Sequence, residues 1–111
     1  MSEEQSPRVL NEEDLIEEDI KAKGLTAPRI TPDDVDAFIL SSQWHTFPGT
    51  TVMVCCITLQ NGYHVTGTSA AASPENFNAE IGARISFNHA REKIWALLGF
   101  SLRDLLHKEM V

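Results

Sequence analysis

The sequence predicts an α+β fold: N-terminal acidic helices, a central antiparallel β-hairpin and a C-terminal helical hairpin. Three observations predict it. Two helix-start signals, at Asn11 and Thr31, precede apolar residues at helical spacing; between Thr50 and Ser69 the apolar pattern changes to period 2; and from Ser73 it returns to helical spacing, interrupted at Gly99.

Residues 1–10 carry turn formers and little apolar content and are expected to be a disordered lead-in. Asn11 can cap a helix running to about Lys23. Glu12, Glu13 and Asp14 stand in its first turn, where the helix dipole favours anions, Leu15, Ile16 and Ile20 form a narrow apolar stripe, and Gly24 stops it. After a linker from Ala27 to Ile30, Thr31 is the next N-cap, with Pro32 at the first helical position and Asp34 completing a capping box. This helix is expected to present Val35, Phe38 and Ile39 to a core and to end near Ser41 and Ser42, before a turn at Phe47-Pro48-Gly49. Thr51–Leu59 and Tyr63–Thr68 then read as strands around Asn61-Gly62, the pair favoured in tight primed turns. Alternation places Val52, Val54, Cys56 and Thr58 on one face and Met53, Cys55, Ile57 and Leu59 on the other. Both sets are largely apolar, so the strand is expected to be covered on both sides, with Met53 and Ile57 or their neighbours as candidates for a subunit contact. Ser73 or Asn76 can cap a long helix from about Pro74 or Asn78 to Leu98, closed by Gly99, and a short helix follows from Phe100 to Lys108, a pattern that reads as either a helical hairpin or one long kinked helix. The expected organisation is an arm over residues 1–30 and one domain over 31–111.

Charge is unevenly placed in the 111 residues. Residues 1–36 hold eleven carboxylates against four bases, a net −7, whereas residues 37–111 hold five of each. That balance disfavours a protein that coats a nucleic-acid polymer. The longest apolar run, Val52 to Leu59, is far short of the roughly 20 residues that cross a bilayer, and the acidic N-terminus is unlike a signal peptide. No membrane association and no cofactor are expected. Adjacent Cys55 and Cys56 point to opposite strand faces, which disfavours a bridge between them and fits a reducing cytoplasm.

Candidate binding residues lie on the long helix. Positions 83, 87, 90, 94, 97 and 98 form an apolar stripe, and Arg84, Asn88, Arg91 and Trp95 form a second one. Guanidinium groups fork onto phosphate oxygens, an amide can pair with a base edge and an indole offers a stacking surface. These are the groups that hold a small nucleotide. The alternative is that the arginines pair with nearby carboxylates and Trp95 is core. Arg103 and Asp104 follow the Gly99 break, and Phe77 precedes the helix as a staple or a stacking platform. His45, His64, His89 and His107 lack metal-ligand spacing, and no serine, lysine or cysteine has an activating partner, so the expectation is a protein that is not an enzyme.

Two stretches, ITPDDVDAF from Ile30 and CCITLQNGYHVTGTSAAASPENFNAEIGARISFNHAREKIWALLGFSL from Cys55 to Leu102, closely resemble the small phage and prophage protein family named after a phage N-four and a phage Sf-six early gene product. The densest match is NGYHVTG, then SPENFNAEIG, then KIWALLGFSL. The C-terminal half also looks like the helical hairpin of phage sponges that sequester nucleotide second messengers of Thoeris or CBASS defence. The order β-hairpin, Phe77, Asn88-x-Ala90 and Arg103-Asp104 carries that second likeness. It implies a homo-oligomer, dimer or hexamer, in the host cytoplasm that binds a cyclic ADP-ribose isomer or cyclic oligonucleotide between subunits without cleaving it. Phe77 would stack on the base, Asn88 would hydrogen-bond it, and Arg84, Arg91 and Arg103 would meet phosphates, with Asp104 beside them. The acidic helices before the hairpin depart from the sponge pattern. They motivate an alternative in which the arm occupies a basic surface of a host protein.

Overall fold

A computed structural model describes residues 11–110; the lead-in expected over residues 1–10 lies outside them. In chain order the elements are α1 (Glu12–Ala22), α2 (Pro32–Ala37), β1 (Ile39–Thr46), β2 (Met53–Leu59), β3 (His64–Ser69), a 3-10 turn (Pro74–Asn76) and α3 (Ala79–Glu109). The α+β class is as expected, with two changes of element. The segment expected to finish α2 is the strand β1, and the expected C-terminal helical hairpin is one continuous helix of 31 residues.

Local chemistry explains the first two helices. Asn11 and Thr31 each accept from the N3 backbone N–H, while Asp14 and Asp34 accept from the cap N–H groups in return. α1 ends in a Schellman motif: Gly24 is at φ +67°, its N–H donates to Lys21 O, and Leu25 N–H donates to Ile20 O. α2 stops after one and a half turns. Phe38 is its C-cap, and the chain goes directly into β1 with an irregular register between Ile39 and Ser41.

The three strands form an antiparallel sheet in the order β1-β2-β3. Phe47-Pro48-Gly49-Thr50 joins the first two strands; Gly49 sits at φ +76° and Thr50 N–H donates to Phe47 O. The β2–β3 connection differs from the primed two-residue turn expected at Asn61-Gly62. Gly62 alone of the pair has positive φ, Leu59 N–H donates to Tyr63 O and Gly62 N–H to Leu59 O, so the loop has three residues. That is the turn-plus-left-handed-glycine hairpin, in which Asn61 contributes its side-chain oxygen to Tyr63 N–H.

β2 is central but is covered on one side only. Met53, Cys55, Ile57 and Leu59 are buried beneath α3, whereas Val54, Cys56 and Thr58 are half-buried. Within one chain the domain covers a single face, so cover of the other could come only from another subunit; Met53 and Ile57 are core residues unavailable to such a contact, which leaves their opposite-face neighbours, Val54 and Cys56, as its candidates. Paired positions on the open face are Ser41, Thr58 and His64, then Gln43, Cys56 and Thr66, then His45, Val54 and Thr68, a grid without carboxylates or permanent cations that is polar except at Cys56 and Val54.

α3 begins at Asn78, whose side chain accepts from Ile81 N–H; Ser73 and Asn76 belong to the separate 3-10 turn and do not cap it. Its buried line is Gly82, Ser86, Ala90 and Ile94, four residues apart. This line is displaced from the larger apolar stripe expected at positions 83 to 98, and three of its four members are small. The reason is Gly67 on β3. A Cβ there would lie 2.2 Å from Ser86 O and 2.3 Å from Ala90 N, so strand and helix backbones are in direct contact. Ser86, fully buried, satisfies its hydroxyl by donating to Gly82 O at 2.8 Å.

Two glycines should therefore respond in opposite directions to alanine. Gly67→Ala should lower the unfolding free energy by more than about 2 kcal/mol, because the obstacle is backbone and cannot rotate away. Gly99 has open space around its α-carbon, so Gly99→Ala should raise it by about 0.5–1 kcal/mol. Urea unfolding of both variants checks the pair.

Candidate functional site

The expected site residues are spread along α3 and have different local roles. Arg91 is an internal clasp. Its Nη1 and Nη2 donate to the Glu13 carboxylate at 2.7 and 3.2 Å, and its Nε donates to Asp36 Oδ1 at 2.8 Å. One guanidinium thus ties α1 and α2 to α3, with its side chain 16% exposed. Hydrogen bonding to the Glu13 carboxylate is the largest cause holding the Arg91 pKa above the ordinary arginine value, partly offset by desolvation and reinforced by Asp36. A second clasp joins α1 to the linker: Arg29 Nη1 donates to Glu17 Oε2 at 2.6 Å. That hydrogen bond holds the Glu17 carboxyl below its ordinary pKa.

Arg84, Asn88 and Arg103 are exposed and make no hydrogen bond or ion pair among the described residues. Asp104 pairs with Lys108 at 3.2 Å on the helix surface. Phe77 is half-buried at the entrance to α3, beside Ile81, Gly82 and Ile85. Arg103 lies 19 residues beyond Arg84, about 28 Å along a straight helix. Within one chain the six residues do not converge.

Asn88, Arg91 and Trp95 do share an open groove of about 510 Å³ between α1 and α3. Its other charged walls are Glu12, Glu13 and Glu92. A contiguous groove of about 630 Å³ adds Asp14, Glu17, Asp33 and Asp36 against Lys21, Arg29 and Arg91. Both guanidinium groups there already hold carboxylates, so the grooves repel rather than attract phosphate. A third groove, of about 300 Å³, is apolar: Ile16, Ile20, Ile30 and Pro32 face Trp95 beneath α1.

Two residues with structural roles at this helix escaped the sequence reading. Trp44, on β1, donates its indole N–H to Ala83 O at 3.0 Å and packs its ring against Phe87, with centroids 6.3 Å apart. His89 receives the free N–H of Thr68 on its Nδ1 at 2.9 Å, closing part of the β3 edge. The signal for Trp44 was its period-2 relation to Ser42 and Thr46, weakened because those two core-side positions are polar. Nothing local marked His89, whose partner is distant in sequence.

Among the described residues no group of three or more His, Cys, Asp or Glu is placed to hold a metal ion. The Cys55 thiol is fully buried, and desolvation raises its pKa, which keeps it protonated and a poor nucleophile. No described helix is long and apolar enough to cross a membrane.

A family model described as phage protein (N4 Gp49/phage Sf6 gene 66) matches residues 30–106, from the approach to α2 through most of α3. The chain belongs to this family. The matched segment contains the sheet, the core and all the candidate site residues, while α1, including Glu13 and Glu17 of the two clasps, precedes it. No curated protein matches the chain. No solved structure matches it either.

Replacing Arg91 by Met should lower the unfolding free energy by about 1–2 kcal/mol, since charge-assisted hydrogen bonds are lost at a partly exposed site. Arg84→Met and Arg103→Met should change it by less than about 0.5 kcal/mol. Glu17 adds a pH dependence: its folded-state pKa is depressed, so its contribution is complete above the unfolded value of 4.5 and disappears as pH falls through the lower folded value. Melting temperatures of the wild type and Glu17→Gln should accordingly differ at pH 7 and converge as the pH is lowered below 4.5.

Proposed function

We propose that this family member is a non-enzymatic binding protein of the host cytoplasm that sequesters a nucleotide immune signal, a cyclic ADP-ribose isomer or cyclic oligonucleotide, to counter antiphage defence. The observation that carries this reading is that Arg84, Asn88 and Arg103 are exposed on one rigid helix and have no role inside the fold among the described residues. Arg84 and Asn88 lie one turn apart and can supply a guanidinium for phosphate and an amide for a base edge. Arg91 supports the site as a positioning residue, because its guanidinium is saturated by Glu13 and Asp36. The carboxylates around it disfavour a phosphate in that groove, so the anionic groups of the ligand are assigned to Arg84 and Arg103. Their separation requires any small ligand that meets both to lie between two copies.

Isothermal titration with a panel of cyclic nucleotides and ADP-ribose cyclisation products tests the reading. One of them should bind at micromolar concentration or tighter and be recovered unchanged, and Arg84→Ala should weaken it at least tenfold without altering the melting temperature. Absence of heat across the panel would sink the proposal.

A second reading, capture of a basic host protein, is favoured by Glu12, Glu18 and Asp33, which are exposed and have no partner among the described residues. Among the described residues, Glu13, Asp14, Glu17, Asp34 and Asp36 are committed to caps and clasps, and Asp19 pairs with Lys23 on the helix surface. Reversing those three charges to Lys should abolish recovery of such a partner from host lysate while leaving nucleotide binding intact.

A further inference from the structure

Resting on the nucleotide reading above, we infer that α1 is a displaceable strap over the ligand site: its Glu13 carboxylate occupies, on the Arg91 guanidinium, the place that a phosphate group of the ligand takes when α1 is released. Arg91 donates from Nη1 and Nη2 to the two carboxylate oxygens of Glu13, at 2.7 and 3.2 Å. A guanidinium forks onto two phosphate oxygens in the same way. The Arg91 Nε is held separately, by Asp36 Oδ1 at 2.8 Å. Asp36 belongs to α2, which is anchored in the core through Val35. Departure of Glu13 therefore leaves Arg91 oriented by Asp36, with both Nη groups turned to an incoming anion.

Arg84, Asn88, Arg91 and Trp95 share one face of α3, falling within about 60° of arc at 3.6 residues per turn. Arg91 stands about 10 Å along the axis from Arg84, whereas Arg103 is about 28 Å away. One small ligand can therefore touch two guanidinium groups of a single chain when Arg91 is free to join Arg84. With α1 in place, Arg84 and Asn88 are exposed, but Arg91 is 16% exposed and Trp95 is half-buried across the groove from Glu12 and Glu13. α1 holds six carboxylates and one lysine, so it also sets a negative field over this end of the face. Its departure takes Glu12 and Glu13 out of the groove and leaves Glu92 as the carboxylate of that wall.

The strap is weakly anchored. α1 buries no residue, whereas α2 buries Val35 and α3 buries four. Leu15 and Ile16 are about half exposed, and an apolar groove of about 300 Å³ stays open between Ile16, Ile20 and Trp95. The pair that ties α1 to α3, Glu13 with Arg91, is partly exposed, and such pairs hold weakly enough for a competing anion to displace the carboxylate. Glu17 with Arg29 joins α1 to its own linker rather than to α3, so it limits how far α1 travels without holding it on the site. The family-matched segment, residues 30–106, contains Asp36, Arg84, Asn88, Arg91 and Trp95, and α1 lies outside it. Site and strap are thus separate parts of the sequence.

Titration with inorganic pyrophosphate, a probe that carries the anionic chemistry of the ligand without its base, tests the strap on the full chain. Glu13→Gln should bind it at least tenfold more tightly than the wild type, and adding Arg91→Met should remove that gain. Asp19→Asn, which takes the same charge from α1 without touching Arg91, should stay within twofold of the wild type. Hydrogen exchange gives a second reading that needs no variant: in the wild type, millimolar pyrophosphate should speed exchange of the α1 backbone N–H groups at least threefold and leave β2 unchanged. Equal affinities of the wild type and Glu13→Gln, a gain that Asp19→Asn matches or that survives Arg91→Met, or α1 exchange indifferent to pyrophosphate would overturn the inference. The nucleotide reading fails separately. A panel without heat sinks that reading even where the pyrophosphate gain is present, and a panel member that binds sustains it even where the gain is absent.

Discussion

The contact between Gly67 and the backbone of α3 at Ser86 and Ala90 sets the geometry of the whole domain. Ordinary helix-on-sheet packing separates the backbones by a layer of side chains. Here that layer is missing at Gly67 of β3, and the helix rests directly on the strand there. A small-residue row on α3 then faces the sheet at Gly82, Ser86 and Ala90, and the larger core residues flank that contact: Val65 two positions before Gly67 on β3, Ile57 and Leu59 on β2, Val35 on α2, and Ile94 farther along the helix. The same closeness brings His89 within reach of the β3 edge, while Trp44 on the opposite edge strand reaches Ala83. Helix and sheet are thus joined at three places on the two outer strands, and α3 has a fixed position from which its remaining side chains project.

That position gives the acidity of the N-terminal third a second meaning. As composition it suggests a solvated appendage. In the structure, Asp14 and Asp34 close the N-termini of their own helices, Glu17 holds the linker through Arg29, and Glu13 and Asp36 converge on Arg91. Much of the charge is therefore arranged to attach two short helices that bury a single residue, Val35, between them. Helices this short gain little from burial, so directed polar contacts are what fix their place. An arginine used in this way is not available to a phosphate, and the most suggestive stripe in the sequence divides into one structural and two unengaged polar members.

Elements whose formation is decided within a few residues were legible in the sequence. Capping boxes at Asn11 and Thr31, the stop at Gly24 and the hairpin about Asn61-Gly62 depend on neighbours three or four positions away. β1 was not legible, because Ser42 and Thr46 occupy core-side positions where an apolar residue would have revealed period 2, and no glycine or proline marks the end of α2 at Phe38. Gly99 was read as a break because isolated glycine disfavours helix. Flanking residues of high helical propensity, Leu97, Leu98 and Leu102 among them, outweigh a penalty of about 1 kcal/mol, and the helix runs through. At the site, residue types were readable but their engagement was not: the Arg91 partners lie 78 and 55 residues away.

The neighbouring thiols of β2 give the fold an internal clock. Cys55 is sealed under α3 and Cys56 is half-buried on the open side of the same strand, one peptide bond apart. A thiol reagent meets Cys56 without disturbing the helix, but meets Cys55 only after α3 has lifted from the sheet. The ratio of the two modification rates, within a single molecule and a single experiment, therefore measures how often the helix and sheet separate.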